Sequence, residues 1–417
     1  MKISVPRGTC DVLPQNSYKW SFIESAARRT ASLFGYREIR TPVFEHTELF
    51  ARGIGSGSDI VRKEMYTFED KKGRSLTLRP EGTATVMRSI IENNLCLSGI
   101  AKLFYIGPFF RYERPQEGRY RQFHQFGLEA AGLDSPLLDA EIVHAACSFF
   151  SALGLKDLTV QLNSLGCPSC RPAYRSALVS FFEGRSDELC QDCRERLGLN
   201  PLRILDCKNP SCRGIAAEAP VMLDFLCGDC GAHFESLQKA LSLYSISYSV
   251  NRRIVRGLDY YTRTVFEILS GKLGAQDAIC GGGRYNGLAE EIGGKSVPAV
   301  GFAAGIERTA ALMEKCGCSF GKPPSPRVFV VPLDESCDMT AAGILGELRN
   351  AGVASDLCYS RKSVKRIFRD VADAGAEYAY IIGPDELSSG RISVKSMRDK
   401  VQFDIGLDEA VSFLARG

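Results

Sequence analysis

The chain has 417 residues, of which 45% are apolar and 24% are charged, a balance typical of a folded globular protein and not of a disordered, collagenous or membrane chain. Lysine and arginine exceed aspartate and glutamate only by 52 to 49, so the surface as a whole does not attract nucleic acid and any such contact must be local. At roughly 150 residues per domain, the length predicts two or three domains.

The sequence begins without the apolar core of a signal peptide, and no stretch approaches the roughly eighteen consecutive apolar residues of a membrane span. We therefore expect a cytoplasmic protein with no membrane partner. In that compartment the sixteen cysteines are expected to be reduced thiols or metal ligands.

The N-terminal segment predicts a helix followed by an edge strand. Residues 17–34 carry apolar side chains at helical spacing, and Gly35 follows where a left-handed cap is favoured. Residues 36–44 have the pattern of a strand, but Pro42 lacks an N–H group. That strand is therefore expected at a sheet edge or an interface.

Two antiparallel hairpins are predicted next. Residues 65–69 and 75–79 flank a tight turn, and Thr83 then caps a helix of about ten residues. Residues 103–112 and 121–130 form a second pair around a charged loop. The sheet therefore grows by hairpins and not by helical crossovers.

The residue composition and the predicted secondary structure change twice after these hairpins. Cysteine pairs and helical runs fill the middle, strand patterns return afterwards, and a proline-rich linker precedes strands that alternate with helix-like runs. These changes predict a core of residues 1–162 and 251–320, an insertion of residues 163–250, a linker of residues 321–326 and a small α/β domain of residues 327–417.

One face of the second hairpin is polar. Alternation along a strand places Gln125, Gly127 and Glu129 on the same face, and Arg111 on the partner strand faces them if the polar faces coincide. The missing side chain of Gly127 is then expected to leave room for a ligand. A solvated sheet face with incidental charges is the alternative from this hairpin alone.

Three later segments carry further candidate groups. Arg256 lies four residues before the adjacent pair Tyr260 and Tyr261. The glycine-rich run 281–287 lacks the features of a P-loop or a Rossmann site, and we interpret it as backbone kept bare for a ligand. Arg308 lies in the first turn of a predicted helix, where a cation is disfavoured unless an anion is bound, so a polyphosphate ligand or a plain surface arginine are the alternatives.

In combination these segments resemble the class II aminoacyl-tRNA synthetases. Residues 36–45 resemble their dimer-interface motif, residues 110–113 their second motif and residues 301–308 their third. Residues 78–83 and 256–261 resemble the two signatures of the histidyl-tRNA synthetase branch. The resemblance extends to the C-terminal domain, which is similar to the anticodon-binding domain of that family.

The resemblance implies an α+β catalytic domain on a mainly antiparallel sheet, with a helical cysteine-rich insertion and a C-terminal α/β anticodon-binding domain. It implies a homodimeric ligase that activates L-histidine with ATP and Mg²⁺ and transfers it to the 3′ end of tRNA(His). The alternative is the non-catalytic, histidine-binding regulatory paralogue for ATP phosphoribosyltransferase. An RNA-binding or zinc-ribbon module would leave the pocket residues unexplained.

The resemblance also assigns roles to individual residues. The arginines expected to stabilise phosphate charge in catalysis are Arg111, Arg256 and Arg308. The residues expected to bind histidine are Glu81, Gly82, Thr83, Arg111, Gln125, Glu129, Arg256, Tyr260 and Tyr261. The residues expected to bind ATP are Arg111, Glu113, Arg121 and Arg308. The residues expected to meet the tRNA acceptor end are Arg114 and Gln116.

Eight cysteines of the insertion form four close pairs: Cys167 and Cys170, Cys190 and Cys193, Cys207 and Cys212, and Cys227 and Cys230. Three pairs have the Cys-x-x-Cys spacing, and 19 residues separate the first two pairs, as in a zinc ribbon with a structural Zn²⁺. In the family, however, such cysteines often occur without a metal, which favours buried thiols. Both alternatives stay open, with packing the preferred expectation.

Overall fold

The chain forms two units, Met1–Gly321 and Lys322–Gly417. The computed structural model describes residues 3–55, 58–114, 118–273, 278–360 and 363–415. Among these residues, no helix is both long and apolar enough to cross a membrane.

The first unit contains a sheet of eight strands and a sheet of three. Its strands are β1 (Arg37–Glu38), β2 (Phe44–His46), β3 (Tyr66–Glu69), β4 (Ser75–Leu78), β5 (Ala101–Phe110), β6 (Gln122–Ala131), β7 (Thr159–Ser164), β8 (Tyr248–Val250), β9 (Thr262–Leu269), β10 (Ala278–Arg284) and β11 (Ala299–Gly305). The order in the larger sheet is β1-β5-β6-β11-β10-β9-β7-β8, and only the two outermost pairs are parallel. The prediction of a mainly antiparallel sheet is therefore confirmed.

The helices of the first unit are α1 (Pro14–Leu33), α2 (Thr47–Ile54), α3 (Thr83–Glu92), α4 (Pro136–Ala152), α5 (Arg171–Glu183), α6 (Gln191–Leu199), α7 (Pro210–Glu218), α8 (Gly228–Leu243), α9 (Leu288–Glu291) and α10 (Ile306–Lys315). Apolar side chains of α1, α4, α8 and α10 cover one face of the large sheet and bury Phe126, Phe266 and Phe302 there. The opposite face, which carries Tyr105 and Phe109, holds a second core. The candidate site lies on this second face.

The second unit is a five-stranded sheet with order β13-β12-β14-β15-β16. Its elements are β12 (Val328–Pro332), α11 (Asp338–Asn350), β13 (Ser355–Leu357), α12 (Val364–Asp373), β14 (Tyr378–Ile382), α13 (Pro384–Ser389), β15 (Arg391–Ser396), β16 (Gln402–Gly406) and α14 (Ser412–Ala415). Strand β12 is buried along its whole length between two apolar clusters, as expected for a central strand covered on both faces. The predicted α/β character of this part of the chain is confirmed.

The alternation predicted for the second hairpin is confirmed. Strands β5 and β6 pair with Tyr105 opposite Gly127 and Phe109 opposite Phe123. Phe126 lies in the core of the helix-covered face, whereas Phe123 packs on the other face. The polar residues Gln125 and Glu129 of β6 share the second face, because successive side chains alternate along a strand.

The single strand predicted for residues 36–44 is wrong. The structure has the two-residue strand β1 in the large sheet and the separate strand β2 in the small one. Pro42 lies between them and cannot donate a hydrogen bond to either ladder, so the chain leaves the first sheet before it. Gly35, by contrast, has φ +76° just after α1, as its predicted capping role requires.

The segment predicted as an insertion begins and ends within the large sheet. Residues 163–164 complete β7, β8 pairs with β7, and α8 packs its apolar side chains in the main core. Helices α5, α6 and α7 between them enclose a separate apolar cluster that contains Leu178 and Phe182. The boundaries of residues 163–250 as a domain stay a prediction.

A buried ion-pair network fixes the strands behind the site. The carboxylate of Asp139 on α4 accepts hydrogen bonds from Arg284 at 2.9 Å, from Thr264 at 2.5 Å and from His233 at 2.7 Å, and all four residues are buried. Because these partners lie on β10, β9 and α8, the network joins three elements to α4. A buried pair satisfied in this way holds its elements in one arrangement.

Candidate active site

A cavity of about 320 Å³ lies on the second face of the large sheet. Its walls come from the start of α3, strands β5, β6, β10 and β11, the segment before β9 and the first turn of α10. The predicted site residues that line it are Glu81, Gly82, Thr83, Arg111, Glu113, Gln125, Arg256, Tyr260, Tyr261 and Arg308. Residues predicted from four of the five motifs are thus brought together in one place, whereas residues 36–45 do not line the cavity.

Arg111 and Arg308 enter the cavity from two different elements. The Nε of Arg111 donates to the carbonyl of Pro80 at 2.9 Å, and its guanidinium lies 5.3 Å from the ring centroid of Phe123. Arg308 donates to the carbonyl of Ala278. A backbone carbonyl thus anchors each of the two guanidinium groups, and the planar fork of a guanidinium suits bidentate binding of phosphate oxygens.

Arg256 is held by an ion pair and by a ring contact. It pairs with the carboxylate of Glu267 on β9 and lies over the ring of Tyr261, with 5.5 Å between the guanidinium carbon and the ring centroid. A Cβ atom at Gly281 would come within 2.3 Å of its Nη2. The bare backbone of β10 therefore makes room for the arginine.

Two buried carboxylates lie on the same side of the sheet. Glu81 accepts the backbone N–H groups of Thr83 at 2.7 Å and Ala84 at 2.8 Å, so Glu81, and not Thr83, caps α3. Burial raises the pKa of Glu81, and those two N–H groups oppose the rise. Glu129 does not line the cavity; it lies behind Thr83, whose hydroxyl donates to it at 2.7 Å.

Glu129 is the more strongly perturbed of the two acids. Burial raises its pKa to about 8, although hydrogen bonds from Tyr285 and Thr83 lower it. The nearby charge of Glu81 raises it further. Two buried acids that destabilise each other's ionised form are stabilised by a cation, so this end of the site suits an ammonium group.

Several polar atoms beside the cavity have no hydrogen-bond partner within the described part of the chain. They are the Oη of Tyr105, the Oε1 of Gln125 and the Nε of Arg256, all buried. Buried polar atoms are nearly always hydrogen-bonded in proteins. Three unsatisfied atoms on one cavity therefore indicate a polar ligand.

The interpretation of Gly127 as space for a ligand is wrong, whereas Gly281, in the run interpreted as bare backbone, lines the cavity. A Cβ at Gly127 would lie 2.3 Å from the ring of Tyr105, and one at Gly82 would lie 2.2 Å from the same ring. The space over these glycines is filled by protein, because the Tyr105 ring forms the floor of the cavity. Gly281 makes the equivalent room for Arg256.

The remaining predicted residues lie at the rim or outside it. Glu113 lines the cavity and pairs with Arg119 at 2.9 Å. Arg121 stacks on Tyr112, with 3.8 Å between guanidinium carbon and ring centroid, and does not line the cavity. Arg114 is exposed. The predicted tRNA contact Gln116 lies outside the described residues.

Sequence reasoning missed several residues of the site. Tyr105, Arg119, Tyr120 and Glu307 line the cavity, and Tyr285 donates to Glu129 from behind it. Tyr105 could have been found, because it lies on the polar face of the same hairpin. No sequence pattern pointed to Tyr285, because its hydrogen-bond partner Glu129 lies 156 positions earlier in the chain.

Comparison with known proteins decides the family. The model described as "Histidyl-tRNA synthetase" matches residues 8–168 and 227–309, and the one described as "Anticodon binding domain" matches residues 327–416. The chain belongs to the histidyl-tRNA synthetase family. Its first unit accordingly has the fold of a class II synthetase.

Curated relatives and a solved structure agree with this family over nearly the whole length. The histidine–tRNA ligase of Halothermothrix orenii is 51% identical over 98% of this chain and 97% of its own, and that of Desulforudis audaxviator is 51% identical over 100% and 99%. The apo histidyl-tRNA synthetase of S. aureus is 38% identical with a TM-score of 0.85, covering 99% of each chain.

Proposed function

We propose that the chain is a histidine–tRNA ligase, which activates L-histidine with ATP to histidyl-adenylate and transfers histidine to the 3′ end of tRNA(His). The observation that carries the proposal is the meeting of Arg111, Arg256 and Arg308 with the buried Glu81 in one cavity. Three cations suit a polyphosphate, and a buried acid suits the α-ammonium group of an amino acid.

Histidine recognition would use the acidic end of the cavity. We assign the α-ammonium group to Glu81 and Thr83, and the imidazole to Glu129 with Tyr261, since a carboxylate and a phenol can serve both ring nitrogens. Because Glu129 lies behind Thr83 in the empty cavity, its contact with the ring would require the Thr83 side chain to move. The bare backbone of Gly82 and the side chains of Gln125 and Tyr260 complete this subsite. The unsatisfied Oε1 of Gln125 supports its assignment as a hydrogen-bond acceptor for the ligand.

Activation needs no general base, because the attacking carboxylate of histidine is already ionised. Its oxygen forms a bond to the α-phosphorus while the bond from that phosphorus to pyrophosphate breaks. Arg111 and Arg256 would stabilise the charge on the α-phosphate, and Arg308 would bind the γ-phosphate side. The catalytic contribution of the chain is therefore positioning and electrostatic stabilisation.

ATP would enter as its Mg²⁺ complex, as class II synthetases use it. Glu113 lines the cavity and offers a carboxylate of the kind that holds Mg²⁺ together with phosphate oxygens. Arg121 would act from the rim of the ATP subsite. Arg114, exposed beside it, and Gln116 stay predicted contacts of the tRNA acceptor end.

The quaternary structure we propose is a homodimer formed through residues 36–45. Exposed apolar side chains on that segment, Val43 and Phe44, support the proposal. A cytoplasmic location is proposed with it. All sixteen cysteines are described and none forms a disulfide, as a reducing compartment requires.

We expect histidine, and none of the other nineteen amino acids, to support ATP–pyrophosphate exchange by the purified protein. The physical reason is the acidic pocket, which pairs buried carboxylates with phenols around a small ring. The measurement is the exchange rate with each amino acid in turn. Histidine binding without any exchange would favour the regulatory paralogue, and exchange with another amino acid alone would refute the proposal.

Removal of the second unit should separate the two half-reactions. A chain ending at Gly321 keeps Phe320, which packs edge-on against Phe22 with 6.2 Å between ring centroids. It also keeps every residue of the cavity, so we expect histidine-dependent exchange to persist while aminoacylation of tRNA(His) falls strongly. Equal aminoacylation by the truncated and full-length proteins would contradict an anticodon-binding role.

A further inference from the structure

The eight paired cysteines converge into two groups of four. One group is Cys167, Cys170, Cys227 and Cys230, and the other is Cys190, Cys193, Cys207 and Cys212. Within each group the four Sγ atoms lie within 4.8 Å of one another. The S–S distances are 3.6 Å between Cys167 and Cys170 and 3.9 Å between Cys190 and Cys207, far from the length of about 2 Å in a disulfide.

We propose that each group binds one Zn²⁺, so that the chain carries two structural zinc ions. A zinc–sulfur bond of about 2.3 Å gives a regular tetrahedron with sulfur–sulfur edges of about 3.8 Å. The distance from Cys167 to Cys227, 3.9 Å, fits such an edge across the two halves of the outer group. Four sulfur ligands leave no open position, which is the arrangement of a structural site.

The ligands are nested, so the sequential zinc-ribbon pairing is wrong. The first and fourth cysteine pairs form the outer group, and the second and third form the inner group. The spacing between Cys170 and Cys190 therefore has no role as a ribbon spacing. His233 belongs to neither group, because its ring nitrogens contact Asp139 and Arg263.

The surroundings of the sulfur atoms suit thiolates. Cys170, Cys190 and Cys227 are the N-cap residues of α5, α6 and α8, where the helix dipole favours negative charge. The backbone N–H of Cys227 donates to the sulfur of Cys170 at 3.1 Å, and that of Cys190 donates to the sulfur of Cys212 at 3.2 Å. If the cysteines were only buried neutral thiols, neither these N–H donors nor the two groups of four sulfur atoms would be needed.

The donor set favours zinc over cations that prefer oxygen ligands. Four thiolates without oxygen or nitrogen ligands suit Zn²⁺ and do not suit Mg²⁺ or Ca²⁺. An iron–sulfur cluster also uses four cysteines, but it places several metal ions between them. Sulfur atoms that all lie within 4.8 Å of one another enclose a single ion.

The two sites would fix the insertion against the loop that carries Arg256 and Tyr261. Arg171, the first residue of α5 next to Cys170, donates to the carbonyl of Tyr261. Beside the inner group, Asn200 and Arg203 each donate to the carboxylate of Asp259 at 3.1 Å. Zinc would thus hold both contacts without touching substrate.

Metal analysis of the full-length protein, purified without chelator or added metal, tests the proposal. We expect two zinc ions per chain, and one each in the variants Cys167→Ser/Cys170→Ser and Cys190→Ser/Cys193→Ser. The matched control Cys316→Ser/Cys318→Ser removes two cysteines outside both groups and should retain two. Metal-free protein, bound iron, a single zinc ion, or unchanged zinc in either test variant would overturn the proposal.

Replacement of the metal in the unaltered protein tests the same point without relying on the folding of a variant. We expect two Co²⁺ ions per chain, with thiolate-to-cobalt charge-transfer bands and the intense d–d bands of tetrahedral Co²⁺. Absence of charge-transfer bands would contradict thiolate ligation. Neither measurement depends on catalysis, so each can fail while the proposed ligase activity stands.

Discussion

Replacement of Arg256 by alanine is expected to lower histidine-dependent ATP–pyrophosphate exchange by about 10²-fold or more, by analogy with loss of one transition-state hydrogen-bond donor. Arg256 is held by Glu267 and Tyr261 and has a buried Nε without a partner in the described structure. A group fixed in this way stabilises developing charge with little reorganisation. Exchange kinetics at saturating histidine and ATP measure the effect.

The controls for Arg256→Ala separate chemistry from folding. Arg185→Ala removes a surface arginine that also forms an ion pair, with Glu218 at 2.7 Å, and should leave exchange unchanged. Histidine binding by Arg256→Ala should fall far less than exchange, because the proposed contact of Arg256 is mainly to phosphate. Exchange near the wild-type rate would remove Arg256 from its proposed role.

Replacement of Glu129 by glutamine is expected to weaken histidine binding by roughly tenfold to a hundredfold, the usual range for a buried hydrogen bond to a charged group. The substitution should also abolish the release of a proton that we expect when histidine binds to the wild-type protein. With its pKa raised to about 8 by burial, Glu129 holds a proton at pH 7 in the empty site. The α-ammonium group of histidine, bound at this end of the site, favours the carboxylate form of Glu129, so binding expels that proton and affinity rises from pH 7 to pH 8.

Calorimetry at pH 7 in two buffers of different ionisation enthalpy measures that proton release. The matched control is Glu141→Gln, whose carboxylate also accepts a tyrosine hydroxyl, that of Tyr36 at 2.9 Å, but whose partners Tyr36 and Lys102, unlike the Thr83 partner of Glu129, do not line the cavity. Proton release by the Glu129→Gln variant equal to that of the wild type, or proton uptake by the wild type, would contradict the assignment.

Local patterns predicted much of the fold and of the site. Alternation along β6 placed Gln125 and Glu129 on the polar face, and Gly35 marked the end of α1, because both depend on neighbours in sequence. The resemblance to a family supplied the role of residues such as Arg308, which composition and spacing could not assign.

What the sequence did not reveal depends on contacts between distant segments. The contact of Tyr285 with Glu129 and the nesting of the cysteine pairs both join residues far apart in the chain. The first strand ends before Pro42 because the residues on either side of this proline join different sheets, β1 the large sheet and β2 the small one. No local periodicity carries that information.

Several glycines around the cavity pack directly against large side chains, and this packing limits which substitutions the site can accept. Gly82 and Gly127 both lie against Tyr105, and a Cβ at Gly301 would lie 1.8 Å from a carboxylate oxygen of Glu129. An alanine at any of these glycines requires its partner to shorten or move. Substitutions at such positions are therefore expected to be epistatic: each glycine can change only together with its partner. A paired change at Gly127 and Tyr105 would remove the aromatic ring that forms one wall of the amino-acid site.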